Sequence, residues 1–281
     1  MRVFRYVVAD VFTDTPLAGN PVAVFTDARG LEGEEMQRLA RELNLSESVF
    51  VLPAEADGHV RIRIFTPELE MQFAGHPTLG AAFVLAQPLQ LIEIRLETGA
   101  GVVAVEVERE GPKLTFGRMR QPIPTWETYG CAESLLAALG VERSELPVEL
   151  YDNGAQHVYV ALGSEEEVAR LRPNLNGLGL PAALGTNCFA GSGSRWKTRM
   201  FGLGGIPEDP ATGSAAGPLA VHLARHGRIA WGDEIEISQG AEIGRPSTLY
   251  ARADGSGDEI ERVEVGGSAV TVAHGEFRLP N

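Results

Sequence analysis

Positive charge is in short supply in this chain of 281 residues. It carries 24 Lys and Arg residues against 38 Asp and Glu residues, which gives a formal net charge of −14 at pH 7. Phosphate backbones and anionic lipid headgroups would be repelled by such a chain. Nucleic-acid and membrane partners are therefore not expected. Lysine occurs only at Lys113 and Lys197, so few residues are available for Schiff-base chemistry.

Cysteine and long apolar runs are also scarce. The 2 cysteines, Cys131 and Cys188, lie far apart without CxxC or Cys/His spacing. Neither a disulfide framework nor a zinc site is indicated, and both are predicted to be buried apolar side chains. The first apolar run ends at Asp10, too early for a signal peptide, and no later run reaches the roughly 18 residues of a membrane span. We therefore expect a cytoplasmic protein.

Common catalytic motifs are missing as well. The sequence contains no GxxxxGK[ST], HExxH or GxSxG, and no GxGxxG between a strand and a helix. Among the histidines, only His222 and His226 have a spacing that would place them on one helix face. With no acidic residue near them in the sequence, we interpret this pair as structural. No metal site is predicted.

Alternation of apolar and polar residues predicts strands in five segments. These are residues 59–65, 92–96, 102–108, 234–238 and 263–273. Residues 36–43 carry apolar side chains at the spacing of one helix face. Two more helices, residues 77–86 and 212–227, are rich in Ala and Gly and apolar nearly all round, so we predict that they lie inside the protein.

Four short segments recur in the same order at an offset of roughly 136 residues, which predicts a duplicated unit. NPVAV (20–24) matches QHVYV (156–160), RIRIF (61–65) matches KTRMF (197–201), TLGAA (78–82) matches TGSAA (212–216), and ETGAG (97–101) matches SQGAE (238–242). The chain length also lies where one core tends to split into two.

The predicted fold is therefore α+β, with two similar lobes that each wrap a barrel-like curved sheet around a central apolar helix. Residues 1–121 form the N-terminal lobe and residues 122–281 the C-terminal lobe. The proline-containing segment 120–126 is the predicted connection between them. The last strand, near residues 262–279, is compatible with either lobe.

The start of each apolar helix is a candidate anion site. Pro77 suits the first turn of one helix and leaves Gly75 and His76 on the approach to it. Gly213 and Ser214 lie in or beside the first turn of the other. Helix starts offer unsatisfied N–H groups and a partial positive charge. Facing each other, they would bind a carboxylate or an enolate.

Simpler structural roles remain open for the same residues. Asp209 could cap its helix and Ser214 could help to start it. His76 and Asn20 are common turn residues next to Gly and Pro. Glu47, at the mouth of an apolar strand, is compatible with a partly exposed carboxylate that hydrogen-bonds the local backbone.

Five segments together resemble the phenazine biosynthesis protein F (PhzF-like) isomerases, which have the diaminopimelate-epimerase-like fold. They are DVFTDTPLAGNPVAVF, LARELNLSESVFVL, IRIFTPELEMQFAGHPTLGAAFVL, GIPEDPATGSAAGPLAVHL and QGAEIGRPSTLYA, and they cover almost the whole chain. The resemblance implies two similar lobes with the active site in the cleft between them. It also implies a homodimer that works without metal or organic cofactor.

The resemblance further implies roles for particular residues. Glu47 stands where the family has its catalytic glutamate, and His76 and Asp209 match its other catalytic positions. The substrate-binding positions fall on Asn20, Ser46, Gly75, Gly213 and Ser214. Related epimerases place a catalytic cysteine before each helix. Here Ala74 and Pro210 stand at those places, so two-base thiol racemisation is disfavoured.

Burial of a carboxylate raises its pKa, and such a group can take a proton from one carbon and return it to another. We therefore predict a cofactor-independent isomerase that catalyses an allylic proton shift on a small carboxylated metabolite. Glu47 would be the general base and acid in the cleft. The alternatives are an epimerase, dehydratase or hydrolase using the same cleft, or a non-catalytic metabolite-binding protein.

Overall fold

The computed structural model describes residues 1–174, 184–202 and 207–280. Contacts between Cα atoms divide the chain into two compact units. The first consists of Met1–Arg120 and Gly266–Asn281, and the second of Gln121–Val265. The last strand, which the sequence did not assign to either lobe, thus lies in the first unit.

The first unit is mainly sheet. Its strands are β1 (Arg2–Val11), β2 (Asn20–Phe25), β3 (Glu47–Leu52), β4 (Val60–Phe65), β5 (Glu70–Met71), β6 (Glu93–Thr98), β7 (Gly101–Glu110), β8 (Lys113–Gln121) and β18 (Ala269–Leu279), and its helices are α1 (Gly33–Leu43) and α2 (Gly75–Leu89). The pairs β18/β1, β1/β2, β3/β4, β6/β7 and β7/β8 are antiparallel, whereas β2/β3 and β4/β6 are parallel.

Helix α2 is the centre of this unit. It packs against β1, β2, β3, β6, β7 and β18. These strands lie far apart in the order of pairing, yet all of them contact the same helix. The sheet therefore curves around the helix. Gly80 permits the close approach, since a Cβ atom there would lie 2.5 Å from Val22 Cγ1 and 2.9 Å from Val11 Cγ2.

A second core of the first unit lies under α1, whose Met36, Leu39 and Ala40 are buried. They pack with a group of aromatic side chains in which the rings of Phe25 and Phe50 stack at 4.6 Å. The helix is therefore held by its amphipathic face.

The second unit has the same mixed composition. Its strands are β9 (Thr125–Thr128), β10 (Glu149–Asp152), β11 (Gln156–Ala161), β12 (Leu184–Ser192), β13 (Arg195–Phe201), β14 (Glu208–Asp209), β15 (Glu234–Gln239), β16 (Ser247–Ser256) and β17 (Glu259–Gly267). Its helices are α3 (Ala132–Leu139), α4 (Glu165–Arg170) and α5 (Gly213–Arg225), with a 3₁₀ turn at Ala241–Ile243. Strands β11/β12 and β13/β15 are parallel, whereas β12/β13, β13/β14 and β15/β16 are antiparallel.

This pairing order repeats that of the first unit. The parallel pair β11/β12 corresponds to β2/β3, and the parallel pair β13/β15 corresponds to β4/β6. In both units a two-residue strand and an Ala- and Gly-rich helix stand between the members of the second parallel pair. Such recurrence is what a duplicated unit would produce.

Most predicted elements are confirmed, and the α+β class is correct. The helices expected at 77–86 and 212–227 are α2 and α5, each buried on nearly every side. The single strand predicted at 263–273 is wrong, because the chain breaks at Ser268 into β17 and β18. No helix within the described part of the chain is long and apolar enough to cross a bilayer.

Candidate active site

Glu47 is the first residue of β3, and the chain reaches it through a tight helix end. Helix α1 stops at Leu43, and Asn44 adopts a left-handed conformation with φ of 51° that turns the backbone into the strand. In the parallel pairing of β2 with β3, Glu47 lies beside Val22. Its exposure is only 5%. The interpretation of Glu47 as a partly exposed carboxylate is therefore wrong.

His76 connects Glu47 to Asn20. Its Nε2 atom lies 3.2 Å from Oε2 of Glu47, and its Nδ1 atom lies 3.2 Å from Nδ2 of Asn20. All three side chains are buried. Burial lowers the pKa of His76 to about 3, although a hydrogen bond with the Pro21 carbonyl acts in the opposite direction. The imidazole is therefore neutral beside Glu47 at neutral pH.

The helix that carries His76 begins earlier than predicted. Gly75 and His76 are the first two residues of α2, not the approach to it, and Ala74 is the N-cap residue. The Ala74 side chain offers no cap hydrogen bond, and the first turn contains no acidic residue. Ser46 is half-buried and immediately precedes Glu47. The first unit thus gathers a carboxylate, a neutral imidazole and an amide at one helix start.

In the second unit, Asp209 belongs to a network before α5. Its Oδ2 atom accepts a hydrogen bond of 2.5 Å from the Thr212 hydroxyl. Gln239 Nε2 donates to the Asp209 carbonyl at 2.8 Å, and Gln239 Oε1 accepts from the Thr212 N–H at 3.2 Å. Thr212 is the N-cap residue of the helix. The interpretation of Asp209 as the helix cap is therefore wrong.

Gly213 and Ser214 are the first two residues of α5, and a proline later in the helix changes the hydrogen bonding of the Ser214 carbonyl. Pro218 has no N–H for the Ser214 carbonyl four residues earlier. Asn153 Nδ2 takes that place and donates to the Ser214 carbonyl at 2.9 Å. The Gly213 carbonyl accepts from Gln121 Nε2 at 2.8 Å.

The Ser214 hydroxyl has a partner that the sequence did not reveal. Its Oγ atom lies 3.0 Å from Nε2 of His157, a fully buried residue of β11. His157 and Gln239 both lie in recurring segments, QHVYV and SQGAE. That recurrence was the available signal, but it marked a segment without marking which side chain would reach the helix start.

Neither thiol lies at a helix start that the related epimerases would use. Cys188 is buried in β12, and burial raises its pKa far above the usual range. Cys131 is exposed at the N-cap of α3, so its prediction as a buried side chain is wrong. Their positions agree with the argument against two-base thiol racemisation.

One group of side chains in the described residues has the chemistry of metal ligands. Glu149, His222 and His226 bring one ligand atom each within 4.8 Å of one another. The acidic residue that the sequence did not place near the histidine pair thus comes from β10. However, the same Glu149 oxygen also accepts from Arg225 Nη1 at 2.9 Å and from Tyr151 at 3.0 Å. The guanidinium already balances this carboxylate, which favours a structural network over a metal site.

This network predicts a loss of stability in acid. Burial raises the pKa of Glu149, but hydrogen bonds from His222, His226 and Tyr151 and the charge of Arg225 outweigh it and lower the pKa to about 2. A carboxylate with a lowered pKa stabilises the fold above its unfolded pKa of 4.5, and this stabilisation is lost as pH falls towards 2.

Glu149→Gln is therefore expected to cost about 1–3 kcal/mol at pH 7. It should also flatten the decline of stability below pH 4.5, as measured by urea unfolding at a series of pH values. The matched control is Glu166→Gln, which makes the same change at a side chain with 79% exposure. Equal acid slopes for Glu149→Gln and the parent protein would contradict the assignment.

Comparisons with known proteins agree with this fold. The family described as phenazine biosynthesis-like protein matches residues 9–275. The chain is 52% identical over 276 residues to the trans-2,3-dihydro-3-hydroxyanthranilate isomerase of Pseudomonas aeruginosa, covering 98% of this chain and 99% of that protein. A phenazine biosynthesis protein from Bacillus anthracis has a similar structure, with a TM-score of 0.83, 29% identity and coverage of 99% and 100%. A structure named as a predicted epimerase from Pseudomonas aeruginosa has a TM-score of 0.82 and 31% identity, with the same coverage.

These results define the class first: the chain is an α+β enzyme, mainly sheet with few helices, and an isomerase. More narrowly, it belongs to the phenazine biosynthesis-like protein family. The resemblance of its motifs to that family is thus confirmed, and a small molecule is its substrate.

Proposed function

We propose that this enzyme isomerises trans-2,3-dihydro-3-hydroxyanthranilate by a cofactor-independent allylic proton shift, with Glu47 as general base and acid. The observation that carries the proposal is the buried contact of 3.2 Å between Glu47 and the neutral His76. The choice of substrate is supported by the 52% identity to an isomerase named for that compound.

The chemistry of this compound suits a single carboxylate. Its hydroxyl-bearing ring carbon carries a C–H bond that is allylic to a diene ending at the carboxylate. Removal of that proton gives an anion delocalised towards the carboxylate, and return of the proton to another ring carbon completes the isomerisation. The formula is unchanged and no electrons are transferred out of the substrate, so one group that takes and returns a proton is sufficient.

In this proposal Glu47 takes the proton from the ring carbon. The Nε2 atom of His76 lies against the carboxyl group, and Asn20 contacts the imidazole from the other side. Because His76 is neutral, it adds no positive charge beside the carboxyl group. Gly75, the first residue of α2, is assigned to substrate binding at the helix start. Ser46 is assigned to substrate binding next to the base.

A second set of groups, at the start of α5, is assigned to the polar substituents. The first turn of α5 presents N–H groups of Gly213 and Ser214, and the Ser214 hydroxyl lies beside them. We assign these groups to the substrate carboxylate. Asp209, held by Thr212 and Gln239, is assigned to the amino or hydroxyl group. The homodimer suggested by the family resemblance belongs to the same proposal.

The related structure named as a predicted epimerase makes epimerisation the second candidate. An epimerase inverts one stereocentre and needs an acid opposite the base, whereas the isomerase needs one group. Neither Cys131 nor Cys188 lies at the start of α2 or α5, where the related epimerases have their catalytic thiols, which favours the isomerase.

The direct test is to incubate the enzyme with trans-2,3-dihydro-3-hydroxyanthranilate in H₂O and in D₂O. We expect a product of unchanged mass in H₂O, with a shifted double bond visible by NMR, and deuterium at the carbon that receives the proton. A product lighter by one water would indicate a dehydratase, an unshifted diene with inverted configuration an epimerase, and unchanged substrate without exchange a binding protein.

A further inference from the structure

His157 is a buried histidine that the reaction does not use directly. It lies on β11 with no exposed surface, and its Nε2 atom is 3.0 Å from the Ser214 hydroxyl oxygen. Asn153, four residues earlier, donates to the carbonyl of the same serine at 2.9 Å. The turn between β10 and β11 therefore fixes the backbone of Ser214, and β11 fixes its side chain.

The other ring nitrogen of His157, Nδ1, determines which atom donates the hydrogen in the contact between His157 and Ser214. Nδ1 is buried and has no hydrogen-bond partner among the described residues. Burial lowers the pKa of His157 to about 3, although the charge of Asp152 acts in the opposite direction, so the ring carries one proton. A proton on Nδ1 would leave a buried donor unsatisfied, which is costlier than an unprotonated nitrogen without a partner. The proton therefore resides on Nε2.

This tautomer sets the direction of the serine hydroxyl. Nε2–H donates to Ser214 Oγ, which then acts as the acceptor in this contact. The hydroxyl proton of Ser214 must point to a different acceptor. A group held as a donor in the first turn of α5, at the positive end of the helix dipole, favours an anionic acceptor.

We infer that His157 is a positioning residue that keeps the Ser214 hydroxyl oriented as a hydrogen-bond donor towards the carboxylate of the substrate. The inference rests on the proposed function for the identity of the ligand, but it concerns a residue outside the candidate catalytic set. It predicts that His157 determines how strongly the enzyme prefers a carboxylated ring over the same ring without the carboxylate.

Two aromatic ligands that cannot isomerise separate these effects. 3-Hydroxyanthranilate carries the substituents of the proposed substrate, and 2-aminophenol is the same compound without the carboxylate. We expect His157→Met to raise the Kd of 3-hydroxyanthranilate about tenfold, the scale of one charge-assisted hydrogen bond, and to leave the Kd of 2-aminophenol unchanged. His157→Gln, which has a similar length and retains a donor, should keep the preference for the carboxylate.

Ser214→Ala provides an independent route to the same result. It should also reduce the preference for 3-hydroxyanthranilate, and adding His157→Met to it should reduce the preference no further. Calorimetric Kd values for the four variants and the parent enzyme complete the experiment. Equal loss of both ligands in His157→Met, additive effects in the double variant, or no preference in the parent enzyme would overturn the inference. A parent enzyme that prefers the carboxylate but does not turn over the substrate would instead contradict the proposed function.

Discussion

Replacement of Glu47 by glutamine is expected to reduce the isomerisation rate by about 10²–10⁴-fold, the range that general acid–base catalysis contributes. Glutamine preserves the size and the buried position of the side chain but cannot take a proton from carbon. Incorporation of solvent deuterium into the substrate should be lost together with turnover. The Kd of 3-hydroxyanthranilate should stay within about threefold of the parent value, because the amide preserves ground-state contacts.

The first unit offers a matched control at Glu97. This carboxylate is also buried, but it accepts hydrogen bonds from the backbone N–H groups of Glu55, Ala56 and Gly58. These bonds hold its pKa below the usual range. Glu97→Gln should lower Tm and leave kcat unchanged, whereas Glu47→Gln should lower kcat with little change in Tm. Deuterium exchange that persists in Glu47→Gln would rule out this residue as the base.

Strong local patterns made much of the fold predictable. Helices α2 and α5 are apolar nearly all round, and a helix of this kind is stable only where other elements bury it on every side. The recurring segments likewise anticipated the repeated pairing order of the two units. In contrast, the break at Ser268 was missed, although Gly266 and Gly267 directly before it are residues that often interrupt strands. The pairing of β18 with β1 shows that a separate strand begins at Ala269.

The candidate site was predictable to the level of single residues only where a motif marked them. Glu47 stands out as a charge at the start of an apolar strand, and burial supports the unusual placement. His222 and His226 show the opposite case. Their partner Glu149 is 73 residues from His222, and no local pattern signals that β10 and α5 will meet. Sequence reasoning treated the pair as structural because no acidic residue lies near it in the sequence, and the structure contradicts that reason by placing Glu149 beside both histidines.

A similar limit applies to charges that look like surface residues in the sequence. Arg199 in β13 and Glu208 in β14 look like solvent-facing charges in the sequence, yet their side chains are only 5% and 11% exposed. Arg199 Nε and Nη2 bind the two Glu208 oxygens at 2.8 and 2.7 Å. Its Nη1 atom donates to the carbonyls of Val168, Ala169 and Leu171 at the end of α4. One guanidinium thus joins α4, β13 and β14.

Arg199→Met is therefore expected to destabilise the second unit by about 3–5 kcal/mol, the usual cost of leaving one member of a buried ion pair uncompensated. The change removes both hydrogen bonds to Glu208 and the donor for the end of α4. Urea unfolding followed by tryptophan fluorescence measures this unit specifically, because Trp126, Trp196 and Trp231 all lie within it. Arg170→Met, which breaks an ion pair with side chains more than 75% exposed, should change stability by at most about 1 kcal/mol.

The double variant Arg199→Met/Glu208→Met separates the ion pair from the other contacts of Arg199. With both charges gone, no carboxylate remains buried without a partner, so the combined loss should fall short of the sum of the single losses by about 1–3 kcal/mol. The remaining deficit would come from the carbonyls at the end of α4. Glu208 immediately precedes Asp209 in β14. If β14 positions the Asp209 carboxylate for the substrate, Glu208→Met should also weaken binding of 3-hydroxyanthranilate. Strictly additive losses in the double variant would show that the two side chains stabilise the unit independently, in contradiction to the bidentate contact.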